Sequence, residues 1–299
     1  MGSELQLQLP WHQQKPSSIK DYSPNNMLIT ESYQDVQTKD GTTLRVYIYS
    51  PTIKGYPKAK FPGVIVYSEI YQVTGPVKRF AQRIASEGYV VVAPAIYHNF
   101  IGPEPLPYDV PGTDKGNQFK IEKPLESYDE DNKICCDVLY GLPNFDGKKI
   151  GATGMCLGGH LAFRALLDKR VTCATCFFPT DIHLKSLGLG KNDDSLERVS
   201  KEVSKDQEMI LIFGTLDTHV SPEGRDLIRS TLRNSGVRFT FLEVLDAQHA
   251  FIRDEFSKGR FDAAITASCL GFLFEQFNRK LKIDLGEFVD DNKPVEHVC

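Results

Sequence analysis

Short apolar runs of strand length alternate along this 299-residue chain with segments whose apolar residues recur at helical spacing. The strand-like runs are Leu44–Tyr49, Pro62–Tyr67, Tyr89–Ala93, Lys149–Thr153, Thr172–Phe177, Met209–Phe213 and Arg238–Val244. Helical spacing covers Pro76–Glu87, Asp129–Tyr140, the residues after Gly159 through Leu167, Ser195–Ser204, Pro222–Ser235 and Arg260–Lys280. Strands joined through helices run parallel, and a parallel sheet must be covered on both faces. The expected fold is therefore a single α/β domain over residues 31–285, with a mostly parallel sheet and helices on both sides. Residues 1–30 are polar and aperiodic and read as an N-terminal extension, residues 286–299 as a polar tail. Residues 101–127 carry five prolines and three glycines without periodicity, which predicts a long surface loop or lid.

Composition narrows the functional classes. A hydrophobic content of 41% with 25% charged residues supplies a sizeable core. A net charge of −4 lacks the basic footprint of a nucleic-acid binder. Mean hydropathy is −0.29 and no uncharged apolar stretch approaches the ~18 residues of a membrane span. The first thirty residues lack the apolar centre of a signal peptide, so a cytoplasmic location is expected. The seven cysteines are odd in number and mostly lie in apolar runs, where cysteine acts as a small hydrophobe. Cys173-x-x-Cys176 invites a metal or redox reading, but it lies in an apolar run without a second such pair, and a core role is favoured. Cys135 and Cys136 are read as core residues too.

The chemistry concentrates at Ile150-Gly-Ala-Thr-Gly-Met-Cys-Leu-Gly-Gly-His-Leu161, where a strand passes through G-x-C-x-G directly into a helix. This is the pattern of a nucleophile elbow with cysteine in the place of serine. It would set Cys156 at a helix N-terminus, where the dipole favours a thiolate, and aim the Leu157 N–H at a developing oxyanion. Two other readings stay open at this point. A glycine-rich turn can cradle phosphate, although neither GxxxxGK[ST] nor a full GxGxxG is present, and a short G-x-C-x-G can be merely structural. Chain order favours the elbow. Asp217 follows the strand Met209–Phe213, and His249 follows Arg238–Val244. Nucleophile, acid, histidine is the order of α/β-hydrolases, with His249 moving the proton and Asp217 fixing its tautomer. Asp246 is a rival acid, and His98, His160, His183 and His219 are otherwise read as structural or surface residues.

With Gly154-Met-Cys-Leu-Gly-Gly159, Gly214-Thr-Leu-Asp217, His249-Ala-Phe251 and Ser68-Glu69-Ile70, the sequence resembles the dienelactone hydrolase family over roughly residues 40–280. The resemblance implies an α/β-hydrolase fold and a cysteine nucleophile. It also implies that Glu69 contacts the resting cysteine and shares in its activation, and that Ile70 N–H supplies the second oxyanion donor. Arg253 matches one of two arginines that hold a substrate carboxylate, and Asn99, beside His98, stands where the other is expected. The implied function is cofactor-free cleavage of a small ester or lactone, carboxymethylenebutenolidase-like, through an acyl-cysteine. No metal, nucleic-acid or membrane partner is expected, and the protein would be a monomer or homodimer. A non-catalytic protein that keeps the pocket to sense ligands or electrophiles is the alternative.

Overall fold

The computed structural model describes residues 29–53, 55–256 and 259–282. Eight strands form one sheet: β1 (Ile29–Gln37), β2 (Thr43–Pro51), β3 (Phe61–Tyr67), β4 (Val90–Pro94), β5 (Phe145–Met155), β6 (Val171–Phe177), β7 (Glu208–Gly214) and β8 (Phe239–Val244). Their spatial order is β1-β2-β4-β3-β5-β6-β7-β8. The β1–β2 and β2–β4 pairs are antiparallel, and every pair from β4 to β8 is parallel. Every residue of β3, β4 and β7 is buried, as expected of strands covered on both faces.

The helices are α1 (Gly75–Ser86), α2 (Val110–Glu122), α3 (Leu125–Gly141), α4 (Leu157–Ala165), α5 (Ser195–Glu202), α6 (Pro222–Ser235) and α7 (Ala263–Phe277), the last running on into a π turn, Asn278–Lys282. Two apolar cores result. Val77, Phe80 and Ile84 of α1 join Leu273 and Phe277 of α7 on one face of the sheet. Cys135 and Leu139 of α3, Leu161 of α4, Leu196 of α5 and Ile228 of α6 cover the other. Cys173 and Cys176, three apart on β6, point into opposite cores and are fully buried. Side chains three apart on a strand face opposite ways, so the two thiols cannot serve one metal or one disulfide.

Two expectations need correction. Ile29–Gln37 is a strand, although nothing in its pattern signals one. It lies at the edge of the sheet with most residues exposed, so no apolar alternation is required of it. Residues 101–127 are not one long loop, because α2 occupies Val110–Glu122. Asp109 caps this helix by accepting from Gly112 N–H at 2.7 Å, and Pro111 fits its first turn. Gly116 is there for closeness, not flexibility: a Cβ at that position would stand 2.3 Å from the Ile70 carbonyl oxygen. The N-terminal extension up to residue 28 and the polar tail from residue 283 lie outside the described residues.

Candidate active site

β3 connects to β4 on one side and lies against β5 on the other, so the loops leaving β3 and β5 diverge and open a crevice at their carboxyl ends. The site lies at this edge. Cys156, between β5 and α4, has φ 60° and ψ −121°, a conformation that disfavours any residue with a Cβ. Its neighbours leave no slack. A Cβ on Gly158 would approach the Tyr67 carbonyl oxygen to 2.2 Å, and one on Gly154 would approach that of Gly158 to 2.4 Å. The Cys156 N–H donates to the Phe177 carbonyl at 3.1 Å, which stitches the turn to β6. Leu157 opens α4, so its N–H has no intrahelical acceptor.

His249 arrives from the loop after β8 and Asp217 from the loop after β7. The His249 Nδ1–H donates to Asp217 Oδ2 at 2.8 Å, and the His219 backbone N–H donates to Asp217 Oδ1 at 2.8 Å. Both side chains are buried. Burial opposes the charge on His249, but the Cys156 sulfur beside it and the Asp217 carboxylate outweigh that and raise it to about 9. Burial likewise opposes charge on Asp217, yet the bonds from His249 and His219 hold its carboxyl below the usual range. Asp246 is a turn residue with φ 58°, its N–H on Thr215 Oγ1 at 2.8 Å.

Glu69 is 1% exposed with both oxygens engaged: Arg253 donates to Oε1 at 3.0 Å and Tyr108 O–H to Oε2 at 3.0 Å. Arg253 also stacks over the Tyr108 ring, 4.8 Å from its centroid. Glu69 lines the same cavity as Cys156, and its carboxylate is held there by an ion pair and a phenol. A cavity of about 340 Å³ brings together Cys156, His249, Glu69, Ile70 and Arg253. The sequence reading missed its remaining polar wall. Thr113, Asn117 and Lys120 of α2 line it from one side, and His219 and Arg260 belong to it too. The 113, 117, 120 spacing is one helical face, but a polar stripe set between glycines carries no apolar periodicity. Lys120 spans to Asp181 at 2.9 and 3.0 Å, and this pairing outweighs burial to hold the Asp181 carboxyl at about 2.

His98 and Asn99 do not join the cavity. The His98 ring bonds Thr42 Oγ1 at 2.6 Å and Asp131 Oδ1 at 2.9 Å, and Asn99 donates to Asp40 Oδ2 at 2.6 Å. Lys123, a fully buried cation, pairs with Asp131 at 2.7 Å and lies 2.9 Å from the His98 ring, which ties His98 into a separate polar cluster, while Asn99 is held by Asp40 and Ser127.

The profile of the dienelactone hydrolase family matches residues 44–278. The chain belongs to the dienelactone hydrolase family. A Saccharomyces cerevisiae protein provisionally named carboxymethylenebutenolidase is 81% identical over 273 residues, covering 91% of this chain and all of that one. Among solved structures, a provisionally assigned dienelactone hydrolase from Klebsiella pneumoniae superposes with a TM-score of 0.69 at 18% identity, covering 84% of this chain and 99% of that chain. A dienelactone hydrolase-like promiscuous phosphotriesterase from metagenomic libraries gives 0.67 at 18% identity, with 85% and 100% covered. Family and fold together make the protein a hydrolase with the α/β-hydrolase architecture. No helix among its described residues is long and apolar enough to cross a membrane.

Proposed function

We propose that this dienelactone hydrolase family member cleaves a small ester or lactone, of the carboxymethylenebutenolidase type, through an acyl-cysteine and without a cofactor. One observation carries the reading: His249 is held by Asp217 at 2.8 Å, with the sulfur of a positive-φ elbow cysteine beside its ring in the same cavity. Cys156 attacks the carbonyl while the Leu157 and Ile70 N–H groups receive the oxyanion. His249 protonates the leaving oxygen and then takes a proton from the water that releases the acid. A substrate carboxylate that competes for Arg253 frees Glu69 Oε1 to assist the thiol. The high identity to a protein named for carboxymethylenebutenolidase supports this substrate class. A cytoplasmic location and a monomeric or homodimeric state complete the proposal.

The test is intact mass with a panel of activated esters and small unsaturated lactones, read beside product release. A transient acyl group on Cys156 with product beyond one equivalent is expected, and Cys156→Ala should show neither. A stable adduct without turnover would overturn the hydrolytic reading in favour of electrophile sensing.

A further inference from the structure

The cavity holds a second imidazole that the acyl-cysteine scheme leaves without work. The His219 ring lies 4.1 Å from that of His249, centroid to centroid, at an interplanar angle of 50°. Its backbone N–H fixes Asp217 Oδ1 at 2.8 Å, so the residue is tied to the triad from both ends. Its ring makes no hydrogen bond among the described residues, yet it lines the cavity with Cys156 and His249.

Hydrolysis of an acyl-cysteine sets a specific demand. The attacking water gives one proton to His249 Nε2, and a second acceptor fixes its orientation by taking a hydrogen bond from the other. Lys120, Arg253 and Arg260 in the lining can only donate; Thr113, Asn117, Thr180 and Thr218 also carry acceptor oxygens, but among the lining acceptors it is His219 whose ring lies against that of His249. Glu69 is engaged by Arg253 and Tyr108, and Asp181 by Lys120 and Ser186. A neutral imidazole has one free acceptor nitrogen, and partial withdrawal of the His219 ring from solvent, joined by the charge of His249 whenever that ring is protonated, pushes it down to about 4.

We infer that His219 is a water-positioning residue, holding the nucleophilic water against His249 in the step that frees the acid from Cys156. In that step the water oxygen bonds to the acyl carbon and one water proton passes to His249. The C–S bond breaks with its electron pair left on sulfur, and the other water proton leaves with the product acid. His219 ends the step unchanged. The inference rests on the proposed acyl-cysteine route and adds a residue to its second half alone.

Stopped-flow release of p-nitrophenol from p-nitrophenyl acetate, with intact mass of quenched samples, separates the two halves. His219→Phe keeps a ring against His249 but removes the acceptor. It should leave the acylation burst within about 3-fold of wild type and slow steady-state turnover by ~10–100-fold, with acetyl-Cys156 accumulating. His219→Gln restores an acceptor and should recover most of the steady-state rate. The inference is overturned if His219→Phe matches wild type in both phases. It is equally overturned if both phases slow together, or if His219→Gln is no better than His219→Phe. A wild-type protein that turns over without ever forming acetyl-Cys156 instead defeats the underlying acyl-cysteine reading.

Discussion

His249 holds its proton up to about pH 9 because the sulfur beside it and the carboxylate behind it together overcome the burial that would strip it. Removing the sulfur should reverse that balance. In Cys156→Ala the imidazole is expected to titrate well below the wild-type value, read from the ring proton shifts of His249 by NMR. The sign for stability follows. A ring whose value is raised from 6.5 to about 9 contributes its full stabilisation below pH 6.5 and loses it as pH rises through 9. Urea midpoints between pH 6.5 and 9 should therefore fall less for Cys156→Ala than for wild type. Asp217→Asn keeps the shape but lets the imidazole adopt the wrong tautomer. It should lower kcat for ester cleavage by about 10³–10⁴-fold while KM changes little, as steady-state kinetics will measure.

Among the elements, α2 is the one whose placement decides the cavity. Its Thr113, Asn117 and Lys120 form one wall, and its Gly116 presses on the carbonyl of Ile70, the residue proposed to receive the oxyanion. Tyr97 O–H donates to the Gly116 carbonyl at 2.9 Å and fixes the helix from beneath. Gly116→Ala should displace that contact, costing about 1–3 kcal/mol in urea denaturation. It should also reduce kcat/KM by more than about 10-fold, because small misplacements at reacting groups are costly. Gly141→Ala is the control: it sits at the end of α3 with open space around its Cβ and should change neither quantity. The helix was hard to read in the sequence for this very reason. Prolines and glycines that suggest a loop serve here as a first turn and as close contacts, and the contacts exist only once Pro107 and Ile70 are in place.

Across the whole molecule, two apolar cores clamp the sheet, and one buried charge cluster joins the residues after β4 to α2 and α3. Lys123 is fully buried, donates to the Ile96 carbonyl at 2.7 Å and pairs with Asp131 at 2.7 Å. Burial presses its ammonium toward the neutral form, and Asp131 resists this. Asp131→Ala leaves that cation unpaired and should cost about 3–5 kcal/mol, measured as a shift in urea midpoint at unchanged slope.

What the sequence determined by itself is what depends on local pattern and chain order. Buried parallel strands need continuous apolar runs, an elbow needs glycines at 154 and 158, and the order Cys156, Asp217, His249 is visible in one dimension. Family membership confirmed the class of protein these marks suggested. Tertiary structure alone decided which polar side chains share a space. It drew His98 to a buried lysine and Asn99 to Asp40, gave Glu69 to Arg253 and Tyr108, and set His219 against His249. Burial of a polar group must be matched by a partner, and that partner is chosen by distance in space, where sequence spacing carries no information.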